Sequence, residues 1–382
     1  TGATPVANGG TALTSGFVNG SDPRPNAKPI IINGDMAVAQ RSTSVTGHSA
    51  VSYTTVDRFK TVCETGTYTV IQESLTSGAA YLSGFKNALR LDTTTAEATA
   101  GSAGEQTTIE QRIEGFNLQA FKKGTSSAEK YTLAFWVKAS KTGSNLQVNL
   151  RDVDNTRQIG GTYSISSADT WEHKVINFAA DTTGAFGDDN GNSLTIEWFL
   201  DGGSNFSGGA VPTVWEASSN ADRNVTNFDL AGNTANDWAI TGVQLEVGEY
   251  SSTTLPPFQF EDFGDNLQRC LRYYYRANGR CGFGAGTGFV QDGAVKGYIF
   301  HTMPVAPRTE MSFSLSGTSS AIITIDGNAS DEVQSISSIH ADSFPFKDYE
   351  FNFVTNGSSI TDKCGMGIRI NASNYIECDA EL

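Results

Sequence analysis

The chain has 382 residues, enough for two or three domains of ordinary size, each with its own core. Its 26 Lys and Arg stand against 41 Asp and Glu, a net charge of −15, so it lacks the basic excess with which proteins grip phosphate backbones or anionic membranes. No apolar run approaches the roughly 20 residues of a membrane span, and 40 glycines among abundant Ser, Thr and Asn suit many short strands joined by turns.

Residues 1–28 are small, polar and rich in Gly and Pro, without helical or strand periodicity, and read as an extended N-terminal arm. The sequence shows no signal-peptide pattern and starts at Thr1, which reads as a processed chain or part of a longer one.

Residues 29–254 read as strand after strand. Leu133, Phe135 and Val137 alternate with polar neighbours, as do Leu146, Val148 and Leu150, and Leu194, Ile196, Trp198 and Leu200. Period-two alternation between turn residues predicts an antiparallel β-sandwich. Lys174, Ile176 and Phe178 are out of phase with Trp171, which predicts a bulge or an offset there. The phase also changes between Ile240 and Val243, which predicts a bulge at Gly242. Two segments, 92–108 and 201–236, break the rhythm as long loops.

Residues 255–279 open with two prolines and form a connector holding a short helix, with Leu267, Leu271 and Tyr274 on one face and Asn278-Gly279 as its stop. Within it, Tyr273, Tyr274 and Tyr275 point about 100° apart if helical, so they serve as interdomain or oligomer contacts rather than one binding stripe. Residues 280–382 alternate again, with turn signals at Asp326-Gly327 and Asn356-Gly357, and form a smaller C-terminal β-sandwich. The fold class is therefore all-β.

The five cysteines (Cys63, Cys270, Cys281, Cys364 and Cys378) form no CxxC and read as free, buried or half-buried thiols, with Cys270–Cys281 and Cys364–Cys378 as conceivable pairs. Four scattered histidines and the absence of HExxH, GxSxG and P-loop motifs argue against imidazole or zinc chemistry, and no catalytic residue is assigned. A polysaccharide depolymerase would need two carboxylates across a cleft; Asp152 with Asp154, or Glu197 with Asp201, are the available pairs, without a motif behind them.

Two segments carry candidate sites. Oxygen-bearing Asp188, Asp189, Asn190 and Asn192 surround a glycine and read either as a hairpin tip or as a calcium site, without the spacing of an EF-hand. Trp215 lies in a polar loop with Glu216, Asn220, Asp222 and Arg223 and reads either as a sugar-stacking platform or as the loop's anchor or a subunit contact. Trp136, Trp198 and Trp238 sit inside strand patterns and read as core, while Trp171 follows a turn and caps the sandwich edge.

The opening PVANGGTA, then IINGDMAVAQR with YTTVDRF, and the order of IEQRIEG, TLAFWVKAS, DTWEHKVINF and WAITGVQLEVG resemble the jelly-roll domain of tailed-phage fibre and spike proteins. The segment NLQRCLRYYYR is similar to the connector that follows that domain, and MPVAPRTEMSF with YIECDAEL is similar to the small domain that closes such chains. The resemblance implies a virion component with a fold like that of carbohydrate-binding modules. It also implies a homotrimer that attaches to host-surface glycan, joined to other virion proteins by its N-terminal arm, with structural calcium as the one implied cofactor. A purely structural appendage, such as a head fibre or tail connector, is the alternative.

Overall fold

The computed structural model describes residues 28–97, 102–278, 282–291, 294–315, 321–325, 329–338, 348–355, 364–370 and 375–382. Nearly all of the expected N-terminal arm, and both expected C-terminal turns, lie outside the described residues. The chain divides into two units, Thr1–Glu261 and Asp262–Leu382.

In the first unit the strands are β1 (Ser44–His48), β2 (Val51–Tyr53), β3 (Phe59–Cys63) and β4 (Thr67–Ser74), then a five-residue helix α1 (Gly78–Leu82). There follow β5 (Asn87–Thr95), β6 (Gln106–Glu114), β7 (Tyr131–Ala139), β8 (Gly143–Asp152), β9 (Arg157–Ile165), β10 (Glu172–Phe178), β11 (Asn192–Gly202), β12 (Glu216–Ala217) and β13 (Asp237–Val247). They make a six-stranded sheet in the order β1-β4-β5-β13-β7-β10 and a seven-stranded sheet in the order β12-β9-β8-β11-β6-β3-β2. Every strand pairing is antiparallel, and the non-sequential order is that of a jelly-roll sandwich.

The inner faces follow the predicted alternation. Leu133, Phe135 and Val137 of the first sheet meet Leu146, Val148, Leu150, Leu194, Ile196, Trp198 and Leu200 of the second in one core, all essentially inaccessible to water. Phe135 stands edge-on to both Trp198 and Tyr163, at 5.7 and 5.2 Å between ring centroids, the arrangement that the ring quadrupole favours.

The predicted bulge in β13 is present: the register with β7 shifts between Thr241 and Gln244, and Gly242 has φ +61°. A Cβ there would also lie 2.6 Å from the ring of Phe85, so both backbone and space call for glycine. The predicted bulge or offset near Trp171 is absent. Strand β10 pairs with β7 in unbroken register from Glu172 to Phe178. Trp171 is out of phase because it precedes the strand and lies on the opposite face of the sheet from Ile176 and Phe178.

Beneath the β9 edge, the Lys123 ammonium is fully buried. It contacts Asp152 at 2.5 Å and Asp181 at 3.0 Å, and donates to the carbonyls of Thr183 and Gly184. A buried ammonium is tolerated only with such matched oxygens around it, and here it binds three separated segments together.

The second unit begins with α2 (Phe263–Leu271), capped by the Asp262 carboxylate on the Gly264 amide at 2.8 Å. This helix is shorter than expected. Tyr273 turns the chain, and Tyr274 and Tyr275 belong to β14 (Tyr274–Asn278), which pairs with the chain's last strand instead of continuing the helix. Aromatic residues favour the pleated surface, and pairing with a distant strand outweighs the helical spacing of Leu267, Leu271 and Tyr274.

Strands β15 (Gly282–Gln291), β16 (Ala294–Thr302), β17 (Ser312–Leu315), β18 (Ala321–Ile325), β19 (Ala329–Ser338), β20 (Asp348–Thr355), β21 (Cys364–Ile370) and β22 (Tyr375–Asp379) complete the unit. β14, β22 and β17 form a three-stranded sheet, and the other six close into an antiparallel barrel. After α2 the unit is all-β as expected, but much of it is closed into a barrel rather than left as two open sheets. Cys63, Cys270 and Cys378 are buried thiols in no disulfide among the described residues, and the side chains of Cys281 and Cys364 lie outside those residues.

Candidate functional site

The loop expected to bind ligand wraps round the β9 edge and lies on the outer face of the second sheet. Trp215 is not an exposed platform: its ring joins the core, its Nε1 donates to Ala179 O at 2.8 Å, and it packs 5.8 Å from the Tyr131 ring and 5.1 Å from the Lys123 ammonium. It is the loop's anchor, the other reading of the same residue. A loop of this length needs one, and no polar residue nearby could bury comparable apolar area.

Arg223 is also buried, in a two-pronged pair with the fully buried Glu197, and its backbone carbonyl accepts from Asn149. Asn220 braces the same guanidinium at 3.0 Å, and Asp222 accepts from the Ala210 amide at 2.8 Å. Glu216 is half-buried in β12, facing Gln158. The five predicted residues are thus close in the fold, but four of them hold the loop down.

Burial pushes the Glu197 carboxyl up, but Arg223, Arg151 and Asn149 together outweigh that and hold it below the usual carboxylate range. Asp152 is matched by Lys123. Asp154 accepts from the Gly187 amide at 2.7 Å. Asp201 accepts from Asn227 and from the Ala231 amide. These carboxylates are engaged in holding loops and strands together.

Of the four expected calcium ligands, two make hydrogen bonds within their own segment. Asp189 accepts from the Gly191 amide at 2.8 Å in a local turn, and Asn192 donates to Thr195 at 3.0 Å, while Asp188 is exposed and Asn190 is half-buried. Among the described residues no group of three His, Cys, Asp or Glu side chains could hold a metal ion. The segment is a turn leading into β11, as Asp, Asn and Gly favour, but not the tip of a hairpin, because β10 pairs in the first sheet and β11 in the second.

A cleft of about 280 Å³ opens instead on the outer face of the first sheet, between the end of β4, the start of α1 and the loop before β10. Trp171 forms one wall. Gly78, with φ +91°, brings α1 against it, since a Cβ there would sit 3.0 Å from the indole. From the sheet, Lys138 reaches across with its ammonium 5.3 Å from the Trp171 ring centroid and 3.4 Å from Glu73. That contact with Glu73 is long, and the other carboxylate oxygen of Glu73 has no hydrogen-bond partner. Ser74, Thr76, Ser77, Asp169 and Thr170 complete the rim.

The cleft wall is held in place by its own chemistry. Glu172 accepts from the amides of Ser166 and Ser167 and pairs with Lys174. Although burial opposes it, these bonds hold the Glu172 carboxyl below its ordinary range. Two residues along the same face, half-buried Trp136 packs against His173, ring centroids 5.0 Å apart. Trp136 was expected in the core; it lies outside because it alternates against Leu133, Phe135 and Val137. Trp198 and Trp238 are core, as expected.

This combination of indole wall, ammonium, carboxylate and hydroxyls can hydrogen-bond a polyhydroxylated molecule from several directions while an aromatic surface lies against its C–H face. Sequence reasoning placed Trp171 at the sandwich edge but missed Lys138 and Glu73. They are ordinary outward-facing strand residues, 65 positions apart, and only the sheet brings them together.

No protein-family model matches the chain, and no curated protein matches it in sequence. Among solved structures it is similar to a Bacteroides thetaiotaomicron protein described as sugar-binding, at 15% identity and TM-score 0.31, over 58% of this chain and all of that one. It is similar to the enzymatically active domain of tailspike protein 4 from bacteriophage CBA120, at 13% identity and TM-score 0.28, over 57% of this chain and 21% of that one. It is also similar to the CBM22-1 xylan-binding domain of Paenibacillus barcinonensis Xyn10C, at 9% identity and TM-score 0.26, over 56% of this chain and all of that one. Likeness at this level carries no functional argument.

Proposed function

We propose that the chain is a glycan-binding, non-catalytic β-sandwich protein of a virion appendage, a fibre or spike that attaches to a host surface. The observation that carries the binding reading is the cleft in which Trp171, Lys138 and Glu73 converge on a rigid sheet face. The resemblance of the sequence to tailed-phage fibre proteins supports the virion setting. A single small cleft gives weak binding, and trimerisation would multiply it by an effective-concentration gain of about 10²–10⁴.

The test is calorimetric titration of the intact protein with a panel of neutral oligosaccharides, alongside its native mass by light scattering. Binding that Lys138→Ala and Trp171→Ala abolish, in a particle about three times 40.7 kDa, supports the proposal. Absence of binding across the panel in a well-formed trimer moves the assignment to a purely structural appendage. Release of reducing ends from any of these glycans overturns the non-catalytic part.

A further inference from the structure

We infer that the outer face of the second sheet carries a separate subsite for an acidic sugar, whose carboxylate or sulfate is held by Arg151 with Arg112. This rests on the glycan reading for its ligand class, but its geometry belongs to a different face from the cleft.

The cross-strand register places five polar residues in one row. Arg112 of β6 faces Thr195 of β11, Thr195 faces Arg151 of β8, Arg151 faces Gln158 of β9, and Gln158 faces Glu216 of β12. Row-mates point to the same side of a sheet, and this is the side away from the core, since Ile113, Leu194, Ile196, Leu150 and Ile159 point inward. Arg112 and Arg151 stand two strands apart, so their Cα atoms are about 10 Å from each other, with the Thr195 position between them.

Charge accounting singles out Arg151. Its neighbour Glu197 is already matched by buried Arg223, which grips both carboxylate oxygens. Arg151 makes only one contact with it, at 3.4 Å, and its Nε has no partner. Arg151 is therefore the less firmly paired of the two cations on Glu197, with about a third of its side chain exposed. Arg112 is about a quarter exposed, and its Nε and Nη2 donate to Glu110 Oε2.

Beside Arg151, Gln158 is almost fully buried, and its Oε1 also lacks a partner. Both of these atoms are shielded from solvent, so the exposed parts of Arg151 and Arg112 are what face a ligand, and they suit a molecule that presents anionic oxygens beside hydroxyl groups, as a uronic acid or a sulfated sugar does. The spacing of the two guanidinium-bearing positions suits a glycan with acidic groups on alternating sugars. Glu216 closes the row at its far end, which sets a direction: the anion lies toward β6 and β8, and neutral hydroxyls lie toward β9 and β12.

The experiment titrates the full chain with oligogalacturonate, with a sulfated dextran oligosaccharide and with neutral dextran as probes, at low salt and at 0.15 M ionic strength. The expected result is binding of at least one acidic probe that weakens with salt, falls about tenfold or more in Arg151→Gln, and is partly kept in Arg151→Lys. Arg112→Gln gives an independent second variant, and unchanged melting temperatures confirm that both variants fold. Trp171→Ala leaves acidic-probe binding intact, so a failure of the cleft and a failure of this row are read separately. The inference is overturned if neither acidic probe binds, if Arg151→Gln binds as tightly as the parent, or if inorganic sulfate alone binds as tightly as the sugar acids.

Discussion

The two outer faces of the sandwich are finished with opposite chemistry. On the first sheet, α1, Phe85 and Phe258 cover Ala88 and Ala239 with apolar side chains, leaving a cleft at one end. On the second, a long loop is pinned to the strands by the Glu197–Arg223 pair and by Gln147 and Asn149 donating to loop carbonyls. An apolar cover tolerates small shifts because its contacts are many and undirected. A polar cover is directional, and removal of one partner leaves the other buried and unmatched. The open cleft therefore sits beside the adaptable cover, and the stiff cover seals most of its face except the arginine row at its margin.

The largest effect is expected where this contrast is sharpest. Glu197→Ala leaves the Arg223 guanidinium buried without its counter-ion and lowers stability by about 3–5 kcal/mol, measured by urea unfolding. Glu197→Leu combined with Arg223→Met recovers most of that loss, since both charges go together. The pH dependence follows from the lowered Glu197 carboxyl. A group depressed in the folded state stabilises it above the unfolded value near about 4.3 and loses that contribution as pH falls through the lower, folded value. The double variant lacks this part of the acid limb. Equal costs for the single and double variants would break the comparison.

On the apolar side, Trp171→Ala removes a wall that α1 and Lys138 both pack against, and should cost about 3 kcal/mol. Here no partner is left charged and buried, so the loss tracks the cavity and is reduced by Trp171→Phe. Glycan binding at the cleft should disappear with the indole. A variant that keeps full affinity would move the site elsewhere on the face.

What was readable beforehand divides along the same line. The alternation of Leu146, Val148 and Leu150, or of Leu194 to Leu200, is a period-two signal that one buried face imposes, and the bulge at Gly242 shows as a change of phase. Trp136 misleads because apolar cover from Phe85, Phe258 and α1 half-buries an indole even on the outer face, although its alternation with Leu133, Phe135 and Val137 already puts it there. Trp215 reads either as a platform or as an anchor or subunit contact, because only the distant Ala179 carbonyl and Tyr131 ring decide it. Tyr274 and Tyr275 read as helix because their strand partner lies about a hundred positions away. The cleft left no motif at all, since residues 73–79, 138 and 169–171 meet only through the sheet and its connections.

A smaller effect tests how well the apolar cover is fitted. Gly242→Ala places a Cβ on a left-handed residue and against the Phe85 ring, and should cost about 1–3 kcal/mol. Phe85→Leu in the same chain relieves the steric part but not the backbone part. Partial recovery in the double variant, read as melting temperature, separates the two; full recovery would show that the bulge is not strained by a side chain.

The smallest change in stability should come from Lys138→Met, and it is the most informative for function. Its contact with Glu73 is long and both side chains are partly exposed, at 19% and 25%, so solvent screens the pair and its loss costs under about 1 kcal/mol. Methionine keeps much of the aliphatic stem against Trp171. Binding is a different matter, because a ligand hydroxyl that replaced water on the ammonium would lose a charged hydrogen bond. That predicts weakening of about tenfold or more with the melting temperature nearly unchanged. Calorimetric titration beside thermal unfolding of the same sample reads both quantities. Loss of stability without loss of affinity would make Lys138 part of the cover rather than of the cleft, and the two faces would then differ in packing chemistry alone.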